Sequence, residues 1–526
     1  MTRVAIVTRN SPGQVADLPP ELLPPEAWTS VLNVRFSDGV GERISGTQPM
    51  NIPTSPGTAP QTFQIFPFTD ASDVNWLLLA GAATIYETDG TTTTNRTGAS
   101  VPSAQQNRWT YTNFNGIPIL NEPSIKPQMR GAPFADLTNW PSTWLAASLR
   151  SFKNFLVALD VTKGATRYPN LVAWSSPTTP GAVPASWDGT NPATLAGENP
   201  IASNNEDGRV AVVDGCELKD MFIIYKHKSA WVMRLGGPNV FSFDRTLSKG
   251  VINRNCILRP TIREEKHVVF GLDDIYVHNG YTEESILKAK DRRWLFKNID
   301  LTNSPKCHAA HSPSTSECWF MYPTIGQTQI SHALVWNYDN NNISIVELPD
   351  TYWLTIGPFT VPLPGANSWD AQLGAWDDES EAWDASPAQA LLPRFLQSAA
   401  NSARNFFDTG NPSRQALLER QGLAIAGRDQ NGQPIYDTEM VKKVTAVWPR
   451  FLGTGTITVQ LGASDNPSAP VQWGEARQFD TATRSKVDYF IEGRILHARF
   501  TGVDTGQWRM LGYDLEMEPV GRERGI

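Results

Sequence analysis

Short apolar runs recur from about residue 60 to 350, each stopped by a polar or glycine turn and followed by an aromatic-bearing stretch. Leu77–Gly90, Phe222–Gly236 and Val268–Gly280 are three copies; Phe155–Trp174 and Cys318–Leu348 are looser versions with longer turns. Runs of this length, bounded by turn residues, read as strands joined in hairpins. The steps from Tyr225 to Gly271 and on to Tyr322 are 46 and 51 residues. That is the size of a propeller repeat, in which four-stranded sheets stand around an axis. The competing reading is an irregular β-sandwich with unrelated hairpins. The recurrence favours the propeller.

The flanking regions read differently. Residues 1–50 predict an N-terminal arm with the first strands. The stretch from Leu18 to Pro25 holds four prolines, which exclude a regular helix or a central strand. Trp28–Gly39 then reads as a strand running into a glycine turn. Residues 351–435 look inserted, with an acidic loop and short helices. From 436 to 526 the alternation returns, as in Gly455–Gly462 and Val487–Ile491, and predicts a β-sandwich-like sheet. One helix is expected inside the propeller, opened by Thr282 as N-cap and carrying Ile286, Leu287, Trp294, Leu295 and Phe296 on helical spacing. The expected fold is therefore all-β, with a β-propeller core over 51–350.

Composition narrows the function classes. Gly and Pro number 39 each in 526 residues, and 40% of the chain is hydrophobic. Disorder and collagen-like structure are excluded by that balance. The net charge of −8, from 45 basic and 53 acidic residues, argues against a protein that grips the DNA backbone, where affinity comes from neutralising phosphates. Four cysteines are too few for a disulfide scaffold, and a reducing site of synthesis is expected. Met1–Val15 lacks the apolar region of a signal peptide, and no run reaches the 18 or so apolar residues of a membrane helix. A soluble chain made in the cytoplasm is expected.

No phosphate loop, dinucleotide fingerprint, nucleophile elbow or H-E-x-x-H zinc motif is present, and an enzyme is not expected. Cys307, His308, His311 and Cys318 form a Cys/His cluster, but its spacing lacks the two close ligand pairs of a zinc site. Asp273 and Asp274 are the best local carboxylate pair for glycosidic chemistry, and two acids in a tight turn are more often turn formers. No metal or cofactor is expected.

The most specific feature is a Trp-Asp pair repeated three times at a step of seven: Trp369-Asp370, Trp376-Asp377 and Trp383-Asp384. With Asp378, Glu379 and Glu381 the segment holds six acids and no base. A polar acidic loop showing aromatics at a fixed period has the character of an interface element, each Trp filling a pocket on a neighbour. Packing on its own domain is the alternative.

These blocks resemble the tail nozzle (tail hub) proteins of short-tailed, podovirus-type bacteriophages. The likeness is carried by Glu26–Gly39 with Glu42–Gly46, by Ile224–Arg234, by the Trp-Asp repeat, and by Val471–Gly474, Gly493-Arg494 and Trp508–Asp514 near the end. It touches most of the chain, but its motifs are structural. The resemblance implies a virion tail protein, assembled in the host bacterial cytoplasm, with a propeller in each of six subunits of a ring below the portal and its adaptor. Such rings close the tail, anchor fibres or spikes, and conduct phage DNA without binding it specifically. On this expectation Trp28, Trp369, Trp376 and Trp383 lie at interfaces, and Asp370, Asp377, Asp378, Glu379, Glu381 and Asp384 face an interface or the lumen. The Pro-rich arm would likewise serve contacts in the assembly. The runner-up is a carbohydrate-binding or carbohydrate-cleaving propeller, such as a receptor-binding tail protein.

Overall fold

The computed structural model describes residues 2–8, 11–50, 52, 62–70, 72–100, 102, 109–202, 211–236, 240–260, 265–288, 290–359, 393–400, 403–410, 414–428, 430 and 434–522. Five four-stranded antiparallel meanders follow one another over 64–95, 110–136, 144–200, 212–247 and 257–285. We number them blades 1 to 5. A seven-stranded sheet comes next and contains two more blades. Its long strand Asn342–Pro358 pairs with Ile330–Asn337 through its first half and with Pro393–Ala399 through its second half. It is thus the outer strand of blade 6 and the inner strand of blade 7. Arg404–Phe407 continues blade 7, and Thr47–Pro49 from the start of the chain completes it. One residue from the inner strand of every blade reaches a common axial cavity: Phe66, Tyr111, Arg150, Asp214, Ile257, Ala309 and Trp353. The described residues therefore make a seven-bladed β-propeller, closed by an early strand of the chain on a late one.

The recurring hairpins of the sequence are the second and third strands of blades 1, 3, 4 and 5, and the later strands of blade 6. These strands lie between neighbours on both sides, where apolar residues are favoured. Leu77–Ala80, Phe222–Lys226 and Val268–Phe270 are wholly buried.

The second unit is a sandwich of two six-stranded sheets. Trp508–Arg522 and Met440–Gly453 form the centre of one, and Ile495–Gly502 with Thr456–Ser464 the centre of the other. The burial of Val487–Gly493 alternates residue by residue over most of its length, as a sheet with one face on a core requires. The first fifty residues are not a free arm. Thr2–Val7 and Val40–Arg43 pair with Trp508–Arg522, and Ser30–Leu32 pairs with Ala416–Leu423. The region 351–435, expected as an insertion, supplies blade 7 and the sandwich strand Ala416–Leu423.

The expected helix is also shorter. Glu283–Ser285 is the fourth strand of blade 5, paired with Ile275–His278, and the helix is confined to Arg292–Asn298. A short helix is marginal by itself, whereas the blade gains a ladder of hydrogen bonds from the strand. Thr282 caps nothing. The helix N-terminus is instead capped by Asp17, whose carboxylate accepts the N–H groups of Arg293 at 2.6 Å and Trp294 at 2.8 Å.

Candidate functional site

The propeller axis holds a cavity of about 410 Å³. Its floor is an ionic knot between blades. Arg150 donates from Nε to Asp214 Oδ1 (2.7 Å), from Nη2 to Asp214 Oδ2 (2.6 Å) and Asn255 Oδ1 (2.9 Å), and from Nη1 to the Tyr111 carbonyl (2.8 Å). Asp214 also accepts from Ser148 Oγ, Gly215 N and Asn255 N. Burial disfavours ionisation of both partners, but the forked pairing outweighs it. The Asp214 carboxyl is held below its ordinary value and the Arg150 guanidinium above. A bidentate Arg–carboxylate pair fixes geometry as well as charge, so these groups tie blades 2 to 5 together and have little left for a ligand.

The cavity walls are of two kinds. Phe66 stacks on Tyr111 (5.6 Å, 18°) and leans on Trp353 (6.0 Å), and Trp353 lies flat on His308 (3.8 Å, 11°). Across from this aromatic group stand Cys216, Glu217 and Arg259, with the Arg259 guanidinium 4.0 Å from the Glu217 carboxylate. Burial pushes the Glu217 carboxyl, the Cys216 thiol and the Tyr111 hydroxyl upward.

Behind Glu217 runs a buried chain of hydrogen bonds with a fixed direction. The Gly280 N–H donates to His278 Nδ1 (3.0 Å), which leaves the proton on Nε2 for the Tyr225 hydroxyl oxygen (2.6 Å). Tyr225 donates to His267 Nδ1 (2.7 Å), and His267 Nε2 donates to the Glu217 carbonyl (2.8 Å). Every member is satisfied only while both imidazoles are neutral. Burial lowers His267 to about 4 and His278 to about 3. The chain spans blades 4 and 5.

A second cluster joins propeller to sandwich. Arg35, on the sandwich strand Val34–Ser37, forms ion pairs with Glu317 of blade 6 (3.2 Å) and with Asp408 beyond blade 7. Asn33 donates its N–H to the Ile345 carbonyl and accepts the Glu347 N–H at Oδ1, both at 2.9 Å. Arg43 binds the carbonyls of Gly506 and Arg414. The Pro-rich segment is held within the chain as well: Arg420 Nη1 donates to the Pro20 carbonyl, and Nη2 to those of Leu23 and Pro24.

Trp28 does not face a neighbour. It is 2% exposed and packs in the sandwich core against Phe500 and Tyr513. Its partners lie more than 470 residues further along the chain, so local sequence offered no sign of them. Trp369, Trp376, Trp383 and the acids Asp370, Asp377, Asp378, Glu379, Glu381 and Asp384 lie outside the described residues. Cys307 and His308 are core residues, with the His308 Nε2 accepting the Leu354 N–H. Among the described residues no three His, Cys, Asp or Glu side chains converge to hold a metal ion. Asp274 is buried and accepts from Lys249 and Ser285, while Asp273 is exposed and paired with Arg292. The knot and the Tyr–His chain were not anticipated: Tyr111, Arg150, Asp214 and Asn255 follow one another at separations of 39, 64 and 41 residues, and Tyr225 lies 42 residues before His267.

No family model matches the chain, and no curated protein matches it by sequence. Among solved structures, BBS1N in complex with ARL6DN, soaked with mercury, is similar at a TM-score of 0.37 and 9% identity, covering 69% of this chain and 97% of that one. Hsv2 from Kluyvelomyces marxianus gives 0.25 and 9%, over 45% of this chain and 62% of its own. Apo AztD from Citrobacter koseri gives 0.29 and 10%, over 54% and 89%. The propeller assignment stands on the pairing of this chain's own strands: a seven-bladed β-propeller fused to a β-sandwich. Among the described residues no helix is long and apolar enough to cross a membrane.

Proposed function

We propose that this chain is a structural virion component, the tail nozzle of a short-tailed bacteriophage. It would form a hexameric ring below the portal–adaptor complex, hold fibres or spikes, and let DNA pass. The observation that supports this reading most is the placement of the N-terminal block on which the family resemblance rests. Asn33, Arg35 and Arg43 from that block sit at or beside the junction, where they bind blade 6, Asp408 beyond blade 7, and the sandwich loop at Gly506. A subunit that must transmit load between an adaptor and a fibre needs its two units joined rigidly, and buried multidentate arginines supply that. The net charge of −8 suits a surface that DNA passes without adhering. On this reading Trp369, Trp376 and Trp383 make ring or tail-component contacts.

The test is gold labelling of purified phage particles with an antibody to this chain, viewed by electron microscopy. Label at the tail below the capsid vertex is the expected result. Label absent from intact and opened particles removes the nozzle reading.

A further inference from the structure

We infer that the axial cavity is a binding site for a single sugar ring carrying a carboxylate, a uronate-type ligand. The inference rests on the cavity alone and not on the nozzle reading. Its volume, about 410 Å³, falls in the range of small-ligand sites.

The cavity's unspent polar groups include two donors beside one carboxylate. The Arg259 side chain is 60% exposed and, among the described residues, meets only Glu217 at 4.0 Å. The Tyr111 hydroxyl has no hydrogen-bond partner among the described residues. The Asp214 carboxylate is consumed by Arg150, leaving Glu217 as the carboxylate available to accept. A ligand that completes this set offers several acceptor oxygens, at least one hydroxyl donor and one negative charge.

The charge must be single and compact. Arg259 suits a carboxylate, which its fork can bind with two bonds. A phosphate dianion at the same place would sit against Glu217, so phosphates and nucleic acid fit less well. The half-buried Tyr111 ring, backed by the buried Phe66, offers the apolar wall that the C–H face of a pyranose needs. Acid and aromatic wall lie on opposite sides of the cavity, and a sugar acid is the small ligand that matches both.

The experiment is isothermal titration calorimetry of the full chain with sodium glucuronate, and separately with glucose, sodium acetate and inorganic phosphate. Glucuronate should bind at least about tenfold more tightly than each of the others. Arg259→Ala should weaken it by about tenfold or more, the scale of a hydrogen bond to a charged group. Tyr111→Phe, which keeps the stack on Phe66, should weaken it by less. Arg259 is exposed, so its variant folds, and a thermal melt verifies that. No binding of glucuronate to the wild type, an unchanged affinity in Arg259→Ala, or equal affinity for acetate, glucose or phosphate would each overturn the inference. None of these results bears on where the chain sits in a particle.

Discussion

Arg150 holds Asp214 in a fork of two hydrogen bonds, 2.7 and 2.6 Å long, and so joins the inner strands of blades 3 and 4 at the axis. Removing one member of a buried ion pair strands the other, which typically costs about 3–5 kcal/mol. Arg150→Ala should therefore destabilise the propeller by about that much. Arg150→Met with Asp214→Asn should cost less than Arg150→Ala alone, because no charge is left buried and the Asn oxygen still accepts from Ser148 and Gly215. Urea denaturation monitored by tryptophan fluorescence checks both. A double variant less stable than the single one contradicts this account.

Arg420 and Pro20 define a second tie. The prolines of residues 19–25 leave carbonyls with few local donors, and the buried guanidinium of Arg420 supplies them. Burial lowers Arg420 to about 10, so it remains a cation at neutral pH. Gly422 permits the contact: a Cβ there would lie 2.5 Å from the Pro20 carbonyl carbon, at φ +76°. Arg420→Met and Gly422→Ala should each free this segment and raise its rate of proteolytic cleavage by about tenfold or more, without global unfolding. Limited proteolysis with mass mapping of the 18–25 region reads this directly. Unchanged cleavage in both variants would remove Arg420 as the clasp.

Much of the propeller was legible because its second and third strands carry apolar runs closed by turns, a pattern that needs no distant partner to be recognised. Blade 7 was not. Its strands come from 47–49 and from two pieces beyond residue 350, so no local period contains it. The helix was overextended because Glu283–Ser285 has both a capping residue before it and a ladder partner, and the ladder is visible only in three dimensions. For the site, Tyr225 and His278 each lay within a recurring hairpin. Nothing local joins Tyr225 to the blade 5 histidines, Arg150 to Asp214 or Trp28 to Phe500.

The buried imidazoles make stability fall in acid. His267, His308 and His497 take up a proton only near 4 and His278 near 3, all lowered by burial, whereas the unfolded chain does so near 6.5. Between those values the unfolded state binds more protons, so stability is full above about pH 6.5 and declines towards pH 4. The fully buried His267 alone is worth on the order of 3 kcal/mol across that window. Melting temperature should drop steadily from pH 6.5 to 4.5. Tyr225→Phe should cost about 2 kcal/mol already at pH 7.5, because it leaves two ring nitrogens unpaired. A melting temperature flat over that range in an Asp291→Asn background, where the opposing titration of Asp291 is absent, would show that the imidazoles are not kept neutral.

Asp291 carries the opposite sign. It lies at the start of the helix Arg292–Asn298, 0% exposed, with Oδ1 accepting from Gln14 Nε2 (3.2 Å) and Ala16 N (3.1 Å) and Oδ2 unpartnered among the described residues. Burial raises its carboxyl to about 7; the Gln14 and Ala16 bonds oppose the shift, neighbouring Asp17 adds to it and Lys290 opposes it. Here the folded state binds the extra proton, so the contribution is full below pH 4 and is lost as pH rises through 7. Asn in its place keeps an acceptor for Gln14 and Ala16 and cannot ionise. Asp291→Asn should therefore gain on the wild type as pH rises, by about 3 kcal/mol between pH 5 and 8. The imidazoles titrate identically in both proteins and cancel in the difference. Paired urea denaturation at the two pH values measures it. A difference independent of pH would mean that Asp291 is already ionised at pH 5 and that residues 11–17 are docked on a buried anion.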